Sequence, residues 1–441
     1  MNRADSPPPP TLLLLYPYLE ALHPGEITAV RPEIRLALAD DCAKAIARGT
    51  LGGFDEILEI APPESFSDAY DVLRRWCETV HPAGILMQSE VALPMGSLLA
   101  RDFDLPAPSV EAVHHCTNKY LSRLTLSAAG LPTPQFKLVE NADQVRRFAG
   151  QCGYPVVIKA VSSATSRLVT LVRSKEEVET GVGRIRSKLK GARDVLRLCG
   201  FASAAGLDMG CDPLRQFLVE KFVDGLPIEV DGLVIGDRCY SFGITEQVPS
   251  RDPPFYFEGY LIPAESPHVD RAAVMNTSNA AVRAAMLSDS GFSIEMRAFE
   301  GRVWIIEVNG RLGLDEGFSE MFQLRVGWDP MVQAARIALG DRTPVHIGER
   351  CCAALAYRNC YTDSVVEKLP GPAELGRARG SSAVVRIGLA AEPGGRFYAP
   401  PHPDAYPHVA WALATHTASS RAAYKAARLA VERLDFSMRP I

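Results

Sequence analysis

Residues 292–310, FSIEMRAFEGRVWIIEVNG, leave few folds open to this chain. Gly301 marks a turn between two runs rich in branched and aromatic residues, the grammar of an antiparallel hairpin. On the second strand, strict alternation puts Trp304, Ile306 and Val308 on one side. Ile305, Glu307, Asn309 and, further along, Arg311 then fall on the other. A turn centred on Glu300, Gly301 and Arg302 sets Glu295 opposite Glu307. Facing like charges cost about 0.2–1 kcal/mol where water screens them, and roughly several kcal/mol per ion once desolvated. A positive group therefore belongs between them. Arg297 and Arg311 are at hand, which would make the pattern a surface ion-pair lattice worth little. Against that stand the apolar opposite face and Asn309, whose amide oxygen extends an all-oxygen set. A hard cation such as Mg2+ takes such a set, one or two carboxylates plus substrate phosphates. Spacing alone admits both readings.

A chain of 441 residues exceeds what one hydrophobic core usually organises, so two or three packed units are expected. Residues 1–10 read as a proline-rich leader, stiff and solvated at Pro7–Pro10. Residues 11–112 alternate short apolar runs (TLLLLY, FDEILEIA, AGILMQS) with helical patterns (AYDVLRRWCETV, PMGSLLARDF), which predicts an N-terminal α/β domain with a parallel sheet. It has no G-x-G-x-x-G fingerprint, so a dinucleotide site is unsupported. Thr117 or Asn118 caps the next helix, with Leu121, Leu124 and Leu126 on its inner stripe and Gly130 with Pro132 ending it.

After LPTP come the strands YPVVIKAV and RLVTLV, a helix from SKEEVE, the strand RQFLVEKFVDG, and a hairpin of IEVDGLVIG with RCYSFGITEQ. A helix over 273–287 precedes the acidic hairpin. From about 346 the chain offers short strands (CCAALAYR, SAVVRIGL) and an alanine-rich helix, a C-terminal α+β unit over 346–441.

With 47 basic and 52 acidic residues the net charge is −5, and no block of like charge marks a nucleic-acid arm or a membrane patch. The N-terminal apolar run is short, ends at Pro17 and lacks a small-residue cleavage site. No run approaches the roughly 20 apolar residues of a membrane span. Cytoplasm is the default location, with small molecules as partners. Ten cysteines, from Cys42 to Cys360 without C-x-x-C spacing, read as reduced, mostly buried thiols. There is no G-x-x-x-x-G-K-[ST] loop. Two lysines stand at structural transitions instead: Lys119 at a helix start, and Lys159 at the end of the apolar strand YPVVIK, before small hydroxyl residues.

Together these residues resemble the ATP-grasp superfamily, whose two α+β subdomains clamp ATP. The resemblance covers nearly the whole chain and implies a Rossmann-like domain preceding the ATP-grasp region, a two-subdomain ATP-grasp fold over 113–345 with its lid at about 131–224, and the C-terminal unit. Lys119 and Lys159 match the family's two phosphate-binding lysines. FLVEKFVDG resembles its hinge strand, which implies that Glu220 accepts from the adenine amino group, that the backbone of Lys221 and Val223 pairs with the ring edge, and that Glu229 contacts the ribose. The E-V-N-G-R-L-G hairpin implies Glu295, Glu307 and Asn309 as ligands of Mg2+ or Mn2+, and Arg311 as the group that steadies the transferring phosphoryl or acyl phosphate. Many relatives carry a glycine-rich phosphate lid where this chain reads SSATS; Ser162, Ser163 and Ser166 offer hydroxyls to the γ-phosphate there.

The resemblance implies an ATP-dependent carboxylate–amine ligase working through an acyl phosphate, of the type that joins two amino acids. YFEGYLIPAESP would bring Glu258 to the substrate, or leave it a surface acid. The paired His114 and His115 read as packing or capping groups. Carboxylation of a biotin-like or purine substrate with bicarbonate is one rival, and a nucleotide-binding regulatory module without turnover is the other. Dimers are common among such relatives.

Overall fold

The computed structural model describes residues 9–40, 52–60, 66–163, 168–399, 402 and 406–441. Cys42, Thr165 and Ser166 lie outside them.

The N-terminal sheet is parallel, in the order β3 (Glu56–Glu59), β2 (Arg35–Asp40), β1 (Thr11–Leu15), β4 (Gly84–Leu86). In β1 the apolar run is continuous because both faces are covered. Leu12 and Leu14 enter one core cluster, and Leu13 and Leu15 another. Helices α1 (Pro24–Val30), α2 (Phe66–Val80) and α3 (Ala92–Asp102) belong to this region. Then α4 (Val110–Thr117), capped by the Ser109 side chain, leads into α5 (Lys119–Ala128).

Asn118 caps α5 through its side chain, which accepts from the Tyr120 and Leu121 N–H groups. The expected leucine stripe holds at Leu126 alone: Leu124 is 42% exposed, while Lys119, Ser122 and Arg123 join Leu126 among the buried residues. Lys119 and Arg123 stand one turn apart and share a face. Carboxylates on other elements stabilise their charges, so a basic pair takes the inner position that periodicity assigned to leucine.

The second unit is a four-stranded antiparallel sheet in the order β5 (Phe136–Val139), β8 (Phe217–Lys221), β6 (Val156–Ala160), β7 (Val169–Val172). Helices α6 (Ala142–Cys152) and α7 (Val178–Leu189) cover it. A further helix, α8 (Arg193–Ala205), has no counterpart in the sequence reading. It follows α7 in the chain yet packs against α2, α3 and α4 of the N-terminal region.

The largest sheet has eight strands. One half is β13 (Arg302–Asn309), β12 (Ser290–Phe299), β9 (Leu226–Ile235), β10 (Arg238–Pro249) and β11 (Phe257–Ile262). It continues without a break into β14 (Cys352–Asn359), β18 (His408–His416) and β16 (Val384–Leu389). The stretch beyond 346 thus extends the central sheet, and only β17 (Arg396–Phe397), β15 (Ser364–Lys368) and β19 (Ser437–Pro440) form a separate one. Helix α9 (Arg271–Ala284) packs on β10, β12 and β13. Helices α10 (Phe318–Val326) and α11 (Pro330–Ala338) contribute to the core that joins this sheet to β1 and β2. Helices α12 (Pro372–Arg379) and α13 (Ser420–Glu432) complete the C-terminal side. All nine cysteines among the described residues are free thiols, and no described helix is long and apolar enough to cross a membrane.

Candidate active site

The acidic hairpin reaches its expected pairing by an unexpected route. Glu300 and Gly301 form a two-residue turn with φ of 49° and 74°, the geometry that suits the twist of a tight hairpin. Phe299 then pairs with Arg302, and the ladder runs to Met296 and Ile305. Continued unchanged, it would set Glu295 against Ile306. A register shift intervenes, and Glu295 pairs with Glu307. The bulge at Ile306 also corrects the facing of the strand. Val303, Ile305 and Val308 are the buried residues, odd positions before the bulge and an even one after it, instead of Trp304, Ile306 and Val308.

Glu295 also pairs with Glu229 on β9, so three acids cross three adjacent strands in one row. Two residues along, Asp231, Ser293 and Asn309 form the next row. Side chains two apart share a strand face, and the six make a two-by-three lattice of oxygen-bearing groups. Burial, reinforced by Glu307 and Glu229, pushes the Glu295 carboxyl up to about 8. Burial also raises Glu307, but Lys119 and Lys159 outweigh it and hold that carboxyl below its usual range.

Lysines and arginines meet this lattice from other elements. Lys119 Nζ donates to Glu307 Oε1 at 2.5 Å, and the Lys119 backbone N–H donates to Val161 O at 2.8 Å, tying α5 to the end of β6. Lys159 Nζ lies 2.7 Å from Glu220 Oε2. Arg123 Nε donates to Glu220 Oε1 at 2.7 Å, and its NH2 donates to Ile306 O, the carbonyl at the bulge, at 2.5 Å. Burial, opposed by Glu220 and aided by Arg123 and Lys119, lowers the Lys159 ammonium to about 8.

Arg311 lies just past β13. Its NH2 donates to Glu90 Oε1 of the N-terminal region and its NH1 to Leu312 O at 2.8 Å, while Nε finds no partner among the described residues. The Tyr18 hydroxyl donates to Glu90 Oε2 at 3.0 Å. A cleft joins these parts, lined by Glu90, Lys119, Ser162, Ser163, Glu307, Asn309 and Arg311 together with Asp194 and Arg197 of α8. The Ser163 hydroxyl is buried without a partner among the described residues.

Glu220, Glu229 and Glu258 do not line this cleft. Both oxygens of Glu220 are held by Arg123 and Lys159 and the residue is 3% exposed, so its carboxylate anchors these two cations. Glu229 is 5% exposed beneath the loop after β13, accepting from Ser293 Oγ and, at 3.1 Å, from Gln247 Nε2. Glu258 is exposed on β11, where the Tyr424 hydroxyl donates to its carbonyl at 3.5 Å. Three strands separate β11 from β13, roughly 19 Å at ordinary strand spacing, and Glu258 does not line the cleft.

In the hinge segment, the Lys221 N–H donates to Gln135 O at 2.9 Å and its ammonium to Tyr154 O at 3.2 Å; Val223 is half-buried. His114 and His115 are packing groups whose imidazoles burial holds below the usual range. The sequence reading missed Arg123, Asp231, Ser293, Glu90 and Arg197. Arg123 was detectable one turn after Lys119, and Asp231 two residues after Glu229, whereas nothing local singles out Glu90 or Arg197.

The family model described as ATP-grasp domain matches residues 152–316. The uncharacterised protein y4rH of Sinorhizobium fredii is 28% identical over 260 residues, 59% of this chain and 49% of that one. The carbamoyl phosphate synthase large chain of Deinococcus deserti is 22% identical over 316 residues, 65% of this chain and 27% of its own length. The chain thus spans about half of the first relative and 27% of the second. Among solved structures, the L-amino acid ligase from Bacillus licheniformis superposes with a TM-score of 0.78 at 19% identity, covering 98% of this chain and 99% of that one, a likeness of fold.

Proposed function

From a chain that carries an ATP-grasp domain, we propose an ATP-dependent ligase that activates a carboxylate as an acyl phosphate and joins it to an amine, with amino acids as both partners. The observation that carries this reading is the row of Glu295 and Glu307, continued by Asn309, with Lys119 and Lys159 on the elements beside it. The donor set fits a divalent ion: two facing carboxylates and an amide oxygen are all hard ligands, and Glu295 makes no ion pair of its own among the described residues. Glu295, Glu307 and Asn309 would hold Mg2+ or Mn2+, which when bound neutralises charge on the transferring phosphoryl group.

The chain's own groups then do the following. Lys119 and Lys159 bind phosphate oxygens and offset the charge that grows during transfer. The Ser163 hydroxyl, which has no partner among the described residues, would donate to the same group. A carboxylate oxygen of the acid attacks the γ-phosphorus, the bond to the bridging oxygen breaks, and ADP leaves. Arg311, which lines the cleft and whose buried Nε has no partner among the described residues, would hold the acyl phosphate. The neutral amine attacks the carbonyl carbon, the carbon–oxygen bond to phosphate breaks, phosphate departs with the electron pair, and nitrogen loses a proton. No protein nucleophile is needed.

The test is ADP release from Mg2+ and ATP over pairs of amino acids and other small acids, with product mass. A product equal to acid plus amine less water is expected. ADP release that requires bicarbonate and no amino acid would replace this reading by carboxylation. ATP binding without turnover on any pair would replace it by a regulatory module.

A further inference from the structure

We propose that Arg197 recognises the carboxylate of the amine-donating partner, so that this partner is an amino acid whose own carboxylate stays free; the proposal rests on the ligase reading above. Arg197 belongs to α8, which follows the lid helix α7 in sequence but is packed onto α2, α3 and α4, with Leu198 buried in the N-terminal core. Val195 of the same helix is buried in the core of the sheet that carries Lys159, so α8 bridges that sheet and the N-terminal region, and Arg197 lines the cleft from the helix that packs on α3. Leu93 and Pro94 line the same side and give an apolar wall for a substrate side chain.

The cations at this site are unequally occupied. Lys119 lies 2.5 Å from Glu307, Lys159 lies 2.7 Å from Glu220, and Arg311 is bonded to Glu90. Among the described residues Arg197 has one long contact, NH1 to Asp194 Oδ1 at 3.3 Å, three residues back on its own helix. Its Nε is buried with no partner among the described residues, although its side chain is 13% exposed and lines the cleft. A guanidinium carries five N–H donors in a planar fork that matches a carboxylate, and an arginine held with part of that fork unused is prepared for an oxyanion. Phosphate already has two lysines and the hairpin, which leaves the carboxylate of the second substrate. The group bound by Arg197 is unchanged in the reaction: its neighbouring amino nitrogen forms the new bond, phosphate leaves the acyl carbon, and the displaced proton goes to solvent.

The experiment uses the full chain as wild type, R197Q and R197K, with a non-hydrolysable ATP analogue and Mg2+. Thermal shifts are recorded with each of the twenty common amino acids and with the matching amino-acid amides. At least one amino acid should stabilise the wild type while its amide does not. R197Q should lose that shift and keep the shift given by the ATP analogue. In turnover, KM for that amino acid should rise roughly tenfold or more in R197Q relative to KM for ATP, with R197K between. Equal shifts from acids and amides overturn the proposal, as does weakening of the ATP analogue in place of the amino acid, or no amino-acid shift in the wild type. ADP release with amides as readily as with acids removes the role of Arg197 and leaves the ligase reading intact. An Arg197-dependent amino-acid shift without ADP release on any pair does the reverse.

Discussion

Glu295 and Glu307 stand opposite each other on β12 and β13, and among the described residues only Glu307 has a cation in hydrogen-bonding contact, Lys119 at 2.5 Å. The two acids are therefore not equivalent, although the proposed chemistry uses both. Glu295→Gln replaces a carboxyl that burial, Glu307 and Glu229 push up to about 8, so largely neutral at pH 7, and should leave metal-free stability within about 1 kcal/mol of wild type. Glu307→Gln strands the Lys119 ammonium and should cost about 1–3 kcal/mol. Both should lower Mg2+-dependent ADP release by roughly a hundredfold or more. Urea unfolding beside an ADP assay checks this; wild-type turnover by Glu307→Gln would remove the metal role.

The Lys159 ammonium, lowered to about 8 chiefly by burial, makes nucleotide binding depend on pH. A lysine with a depressed folded value contributes stability that is present above its unfolded value of about 10.5 and is lost as pH falls through about 8. Phosphate needs the charged form. Between pH 8 and 10 the apparent affinity for ATP should therefore fall by up to roughly tenfold per unit, with proton uptake on binding. Titration calorimetry in buffers of different ionisation enthalpy measures both. An affinity flat from pH 7 to 10, or the same slope in Lys159→Arg, would contradict the assignment.

Arg123 is 1% exposed and ties Glu220 to the carbonyl of Ile306. Arg123→Met leaves that carbonyl and half of Glu220 unsatisfied, which should destabilise the fold by about 3–5 kcal/mol. Arg123→Lys keeps the charge but not the fork, and should recover only part of the loss. Denaturant midpoints decide, and a loss below about 1 kcal/mol for the methionine variant would show that the network is dispensable.

Gly313 sets the distance between the loop after β13 and the buried acids. Its N–H donates to Asp231 Oδ1 at 2.8 Å, and an added Cβ would lie 2.7 Å from Phe318, 2.9 Å from Asp231 and 3.0 Å from Glu229. Gly313→Ala should cost about 1–3 kcal/mol. It should also displace Arg311 enough to lower turnover by roughly tenfold or more. Unchanged kinetics in a stable Gly313→Ala protein would show that the loop has room to spare.

Much of the fold was legible because periodicity and turn chemistry are local. TLLLL reads as a strand covered on both faces, and Asn118 reads as a cap. Glu229 was visible too, but its role was not, since only packing shows that Gly313 covers it. Leu124 shows the opposite failure. Its helical phase is right, yet the inner positions went to Lys119 and Arg123, because carboxylates far away in the chain stabilise those charges.

The order of residues by itself determined that a hairpin would form around Gly301 and that two acids and an amide would lie along its strands, since both follow from backbone geometry over about twenty positions. Tertiary structure decided which face those acids occupy. The bulge at Ile306 reverses the alternation, and its carbonyl is held by Arg123, 183 residues away in the chain. It likewise decided that Glu90 and Arg197 join Arg311 at one cleft, because contacts between separate units depend on how their cores dock, which no local spacing encodes.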